Sequence, residues 1–248
     1  MGISRATIRA INILDKAAKS PKGITLSEVA NYLDIPITSA SDIIKALIET
    51  EMIEVLDSRS KLYGIGVKAY YIGSSYLTNS SIVDKARPII DKLGKKMSKT
   101  IFLGKEVSGK ITYIYKYAPQ NPLVATCKIG DRTNLHCTSL GKSILAYDDK
   151  LLLRMKDQEL IRKTDKTITD YDQLKKEIER VRENGFAIDE LEQNSHLTCV
   201  GAPIFDHNGI VIAAISATGL HASNRDIDTE GRTVKNAAQE ISRTLGYV

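Results

Sequence analysis

Long apolar runs are scarce in this sequence. The longest, such as Gly209–Ala217, fall far short of the roughly 20 residues that a membrane-spanning helix needs. The first ten positions lack the apolar core of a secretory leader, and Met1-Gly2 with Ala6 misses the Ser or Thr of a myristoylation signal. No membrane partner is expected. Cysteine is sparse too. Cys127, Cys137 and Cys199 make an odd number with no Cys-x-x-Cys pair, which argues for a reduced, cytoplasmic compartment. Nor is one sign of charge in great excess. The 35 Lys and Arg against 30 Asp and Glu leave a net +5, which permits nucleic-acid binding without arguing strongly for it.

What is present fits a soluble globular protein with a real core: 42% hydrophobic and 26% charged residues over 248 positions, enough for two domains. The charges are unevenly placed. Residues 1–22 carry Arg5, Arg9, Lys16, Lys19 and Lys22 against Asp15 alone. Residues 37–57 carry Lys45 against Asp42, Glu49, Glu51, Glu54 and Asp57, and residues 58–68 carry Arg59, Lys61 and Lys68 with no acid. A phosphate grip blind to sequence would come from the first helix and from the segment near residue 60.

Ile8, Ile11, Leu14 and Ala18 recur at helical spacing within Ser4–Lys19. Ser20-Pro21-Lys22-Gly23 breaks that helix. Thr25-Leu26-Ser27-Glu28 reads as a capping box opening a second helix through Val29, Ala30 and Leu33. Asp34-Ile35-Pro36 turns the chain into a third helix with Ile37, Ala40, Ile44, Leu47 and Ile48 on one face; the bland alternative for Thr38 and Ser39 is solvent exposure and N-capping. Met52–Leu56 and Lys61–Ile65 read as two strands around a polar turn at Asp57–Ser60. Three short helices and a hairpin make a winged helix-turn-helix, with a plain helical bundle as the bland alternative. Gly64-Ile65-Gly66-Val67-Lys68-Ala69 matches a dinucleotide fingerprint, but it follows a hairpin strand and lacks the βαβ context that gives the motif meaning.

A helical connector is expected over residues 67–80, then a Lys-rich amphipathic helix at Ser81–Ser98 whose charge run is a solvated face. Strands at Thr100–Gly104, Lys110–Ala118, Phe186–Asp189, Cys199–Phe205 and Ile210–Thr218 alternate with helices at Ser139–Tyr147, Tyr171–Asn184 and Asp226–Leu245. Asn208-Gly209 marks a hairpin between the last two strands. The expectation is an α+β fold with an antiparallel sheet, divided as 1–66, a linker helix at 67–80 and a second domain at 81–248.

Taken in order, these segments resemble the IclR family of transcription regulators over nearly the whole chain. The resemblance is carried by Arg5-Ala6, by Leu26-Ser27-Glu28-Val29-Ala30 and by Leu62-Tyr63-Gly64-Ile65-Gly66. The second domain adds the run from Leu135 to Ala146, the run from Asn184 to Glu192, Gly201-Ala202-Pro203-Ile204, and Ala214-Ile215-Ser216-Ala217-Thr218-Gly219. The resemblance implies a homodimer or tetramer of subunits, each joining a winged helix-turn-helix to a GAF-like effector domain. It implies control of catabolic operons, here as a repressor, in response to small organic or sugar acids. The third helix departs from the family. It has Thr38-Ser39-Ala40-Ser41-Asp42 where members commonly show Ser-Thr-x-x-Arg, and Glu51 stands where glycine is frequent.

Double-stranded operator DNA would be met by Thr38, Ser39, Ser41 and Lys45 of the third helix, by Arg59 and Lys61 at the wing, and by Arg5 and Arg9. The resemblance maps the effector pocket to Ser139, Leu140, Asp189, Cys199, Ser216 and Thr218. The hydroxyls of Ser216 and Thr218 share a face if that segment is a strand. The start of the helix at Ser139 suits a carboxylate. Gly141-Lys142-Ser143 looks like the end of a P-loop, but His136 stands where the upstream glycine belongs. Cys199, His136 and Asp189 could be drawn as a hydrolase triad, and His136-Cys137 with His196-x-x-Cys199 as zinc ligands. These define the rival reading, a small-molecule enzyme or zinc-dependent sensor. The preferred reading is not an enzyme and needs no cofactor or metal.

Overall fold

The structure is a computed structural model that describes residues 4–79, 81–119 and 127–247. The chain divides into two compact units, Met1–Asn79 and Ser80–Val248.

In the smaller unit, α1 (Arg5–Ala18) is capped by the Ser4 hydroxyl. Its buried face is not the one the spacing suggests. Ile13 and Ala17 are inside, whereas Ile8 and Ile11 are 44% and 59% exposed. The helix has two apolar stripes, and only packing decides between them. A short strand β1 (Ile24–Thr25) precedes α2 (Leu26–Leu33). Thr25 forms the capping box with Glu28, its amide donating to the Glu28 carboxylate at 2.7 Å while the Glu28 amide donates back to the hydroxyl at 3.3 Å. Helix α3 (Ile37–Glu49) starts two residues earlier than a Thr38 cap would allow. Pro36 holds the cap position, its ring fixing the backbone at the entry, and no side chain caps the helix. Ala40, Ile44 and Leu47 face the core, while Ile37 is exposed. Strands β2 (Ile53–Asp57) and β3 (Leu62–Ile65) pair antiparallel, and β1 pairs with β3 on its other side. Helix α4 (Val67–Asn79) follows.

The larger unit begins with α5 (Ser81–Met97) and a hairpin of β4 (Thr100–Val107) and β5 (Lys110–Tyr117). Next come β6 (Arg132–Asn134), α6 (Ser139–Leu145) and α7 (Asp149–Arg154), then α8 (Tyr171–Asn184), whose Asp170 cap and left-handed Gly185 end are both in place. Strands β7 (Ala187–Glu190), β8 (Leu197–Phe205) and β9 (Val211–Leu220) and helix α9 (Ile227–Thr244) complete the unit. Among the described residues, six strands form one sheet in the order β6-β5-β4-β9-β8-β7, antiparallel at every pairing. One apolar cluster joins the sheet to α5 and α9 through residues such as Ile90, Val200 and Val234, and another joins it to α6 and α8 through Leu140, Leu174 and Ile178. Helices therefore cover both faces. Among the described residues, no helix is long and apolar enough to cross a membrane.

Candidate functional site

Two rows of the sheet define the floor of a cavity. In one, Asp189 of β7 lies opposite Cys199 of β8, which lies opposite Thr218 of β9. In the next, Gly201 lies opposite Ser216, which lies opposite Phe102 of β4. The rows are two residues apart on each strand, so their side chains share a face. The start of α6 is the roof. It comes so close that a Cβ on Gly201 would lie 2.9 Å from the Ser139 carbonyl group, so this position requires glycine. Gly141 makes the corner beneath it, where a Cβ would lie 2.1 Å from the Leu135 carbonyl oxygen.

The cavity is about 250 Å³, partly open to solvent, and is lined by Ser139, Leu140, Asp189, Cys199, Ser216 and Thr218 together. Sequence reasoning did not reach the aromatic wall of Phe102 and Tyr113, whose rings lie 4.7 Å apart, or Leu197, which also lines the cavity. It also missed Gln193 and Asn194 on the loop after β7, and Cys127, whereas Thr138 belongs to the helix start it had placed at the ligand. The strand alternation that places Ser216 also places Phe102, its direct partner, so register would have found it.

Asp189 is buried, and its Oδ1 accepts from the amides of Glu192 at 2.9 Å and Gln193 at 3.2 Å. Burial pushes its carboxyl up to about 7; Lys142 works against that rise and Glu192 adds to it. Burial also raises the Cys199 thiol, with the Asp189 carboxylate adding to it, so this sulfur is a poor thiolate. The Cys137 thiol is pushed up to about 12, chiefly by burial, and donates to the Gln193 side chain at 3.0 Å. Behind Asp189, the fully buried Lys142 ammonium sits 2.5 Å from Glu192 and 3.2 Å from Glu177. Burial disfavours its charge, but the two carboxylates more than offset that and hold its pKa above the ordinary lysine value. A lysine committed in this way is no phosphate-binding residue. His136 is not among the cavity residues. Its Nε2 lies 3.2 Å from the Ile161 carbonyl, and burial depresses its pKa. It is not brought to Cys199 as a triad would need. Among the described residues, no three His, Cys, Asp or Glu side chains converge as metal ligands.

The residues expected to meet DNA lie in the smaller unit. Thr38 and Lys45 are exposed on α3, with Ser39 and Ser41 half-buried beside them. Asp42 is exposed and 4.0 Å from Lys45. Arg59 and Lys61 are exposed at the hairpin, where the Asp57 carboxylate accepts from the Arg59 amide at 2.9 Å and the Ser60 hydroxyl at 2.5 Å. Arg5 is exposed and Arg9 half-buried on α1.

Comparison with known proteins places this pair of units among transcription regulators. Residues 74–243 match the family described as bacterial transcriptional regulator IclR, C-terminal. The HTH-type transcriptional regulator BhcR of Paracoccus denitrificans is 31% identical over 242 residues, 96% of this chain and 86% of its own. The crystal structure of the Thermotoga maritima IclR superposes with a TM-score of 0.77 at 32% identity, covering 97% of this chain and 98% of its own. An IclR homologue from Microbacterium hydrocarbonoxydans, solved in complex with 4-hydroxybenzoate, has the same fold, with a TM-score of 0.82 at 16% identity over 97% of this chain and 98% of its own. The chain belongs to the IclR family of transcriptional regulators.

Proposed function

We propose that this chain is a cytoplasmic, ligand-gated regulator that binds operator DNA through one unit and a small organic acid through the other. The smaller unit is read as a winged helix-turn-helix. Its recognition helix α3 presents Thr38, Ser39, Ser41 and Lys45 to base edges and phosphates, while Arg59 and Lys61 on the β2–β3 wing and Arg5 and Arg9 on α1 hold the backbone. The larger unit is read as a GAF-like effector domain that works in a homodimer or tetramer. The observation that carries the reading is the convergence of Ser139, Leu140, Asp189, Cys199, Ser216 and Thr218 on one cavity. Its size, aromatic wall and polar floor suit a small hydroxy acid. The 4-hydroxybenzoate bound by the Microbacterium homologue belongs to that chemical class.

The test is the double variant Ser216→Ala, Thr218→Ala. Removing two hydroxyls from the floor should weaken the effector by roughly 10- to 100-fold in calorimetry. Gel shifts with the operator should be unchanged without ligand and lose their ligand response. Unchanged affinity would put the ligand elsewhere.

A further inference from the structure

Among the described residues that line the cavity, Asp189 is the one carboxyl, and none is basic. The charged and titratable groups around Asp189 can be traced element by element. Helix α6 contributes Lys142, and α8 contributes Glu177 through it. The loop after β7 contributes Glu192, on the same ammonium. The segment before α6 contributes the Cys137 thiol, β8 the Cys199 thiol and β5 the Tyr113 hydroxyl, all held neutral chiefly by burial. The outlying cations have other contacts. Lys116 donates to the Cys127 carbonyl at 2.9 Å and lies over the Phe102 ring, and Arg225 is paired with Glu230 at 2.5 Å. Lys163 acts on Cys137 from further off.

The cluster therefore holds three carboxyls and one buried ammonium. Bringing in a ligand carboxylate would make four. An unpaired buried anion costs several kcal/mol, and two carboxyls that share a site resolve the conflict by keeping one proton between them. Asp189 is placed for that. Its Oδ1 is fixed by the Glu192 and Gln193 amides, and the residue borders the cavity.

We propose that Asp189 is the specificity-determining residue of the cavity: it takes the ligand's carboxylate by donating one proton to it, so the site admits monocarboxylates together with a proton and rejects dianions. This deepens the effector-binding reading and rests on it. The proton comes from solvent, no covalent bond forms, and the result is one short O–H···O⁻ hydrogen bond. Burial has already raised the Asp189 carboxyl to about 7, so the proton is in place below neutrality and must be taken up above it.

The experiment is calorimetry on the full chain with lactate, gluconate and 4-hydroxybenzoate, each in two buffers of different ionisation enthalpy, at pH 6 and pH 8.5. Close to one proton taken up per ligand at pH 8.5 and almost none at pH 6 is expected. Affinity should fall about tenfold per pH unit above 7. Succinate, fully ionised, should bind far more weakly than lactate. Asp189→Asn, neutral at every pH and still a donor, should bind the same acids with a flat pH profile. Buffer-independent heats with a flat wild-type profile would overturn the proposal, as would succinate binding as tightly as lactate. If none of the three acids binds at pH 6, the carboxylate class itself is overturned. The double variant at Ser216 and Thr218 separates the two readings. If it loses the ligand while the wild type takes up no proton, the cavity stands and the role of Asp189 falls. If it binds at wild-type affinity, the cavity reading falls.

Discussion

In the smaller unit every buried side chain among the described residues is apolar, with Ile13, Ile24, Ile44 and Ile53 at its centre, and the residues proposed to act lie at or near its surface. The larger unit buries Lys142, Asp189, Glu192, His136, Ser216 and Thr218 alongside its apolar clusters. Buried polar groups are costly unless satisfied, so a core that keeps them does so for a structural or chemical reason. The first unit has an interior that only sets shape, and its chemistry is displayed outward toward a large partner. The second holds its chemistry inside, as a small ligand requires.

The sharpest way to break that contrast is Lys142→Met. It strips the buried Glu192 of its counter-charge and leaves Glu177 only the exposed Arg180, and should cost about 3–5 kcal/mol, in the larger unit alone. Denaturant unfolding followed by hydrogen exchange should show early opening around α6 and α8 while α1–α3 keep their protection. A uniform loss across both units would dissolve the distinction. Gly201→Ala comes next. The added methyl meets Ser139 and must lift α6 from the sheet, costing about 1–3 kcal/mol and weakening ligand more than DNA. Equal stability in the variant and wild type would mean that the roof adjusts freely. The smallest effect is outward. Asp42→Arg should leave stability within about 0.5 kcal/mol and steepen the salt dependence of DNA binding by about one unit, through one new phosphate contact. An unchanged slope would mean that this face of α3 looks away from the duplex.

How much was legible in the sequence varies with how local the signal is. Helix α8 was readable to the residue because Asp170 caps one end and Gly185, at φ 74°, closes the other. The capping box at Thr25 was equally local. The inward face of α1 was not, since two apolar stripes compete and the choice belongs to packing with α3 and β3. The two-residue β1 and six-residue α7 are too short to show a period. Ser216 and Thr218 could be placed on one face by strand alternation alone. The whole six-residue pocket came from family resemblance. The role of Lys142 was hidden, because its partners Glu177 and Glu192 lie 35 and 50 positions along the chain. Beside Gly141 and Ser143 it looked like the end of a phosphate loop.

The seam between β4 and β9 pairs Thr100 with Thr218 and Phe102 with Ser216. The cavity is built across that seam, so it has no floor until residue 218 has been synthesised and can swing back to meet residue 100. The smaller unit is complete by residue 79. At ordinary elongation speeds the gap between those two events is roughly ten seconds. A nascent chain therefore holds every residue of the proposed DNA reader well before the proposed ligand sensor can form. A chain cut anywhere between residues 79 and 218 would carry the proposed DNA reader without a floor for the proposed ligand site.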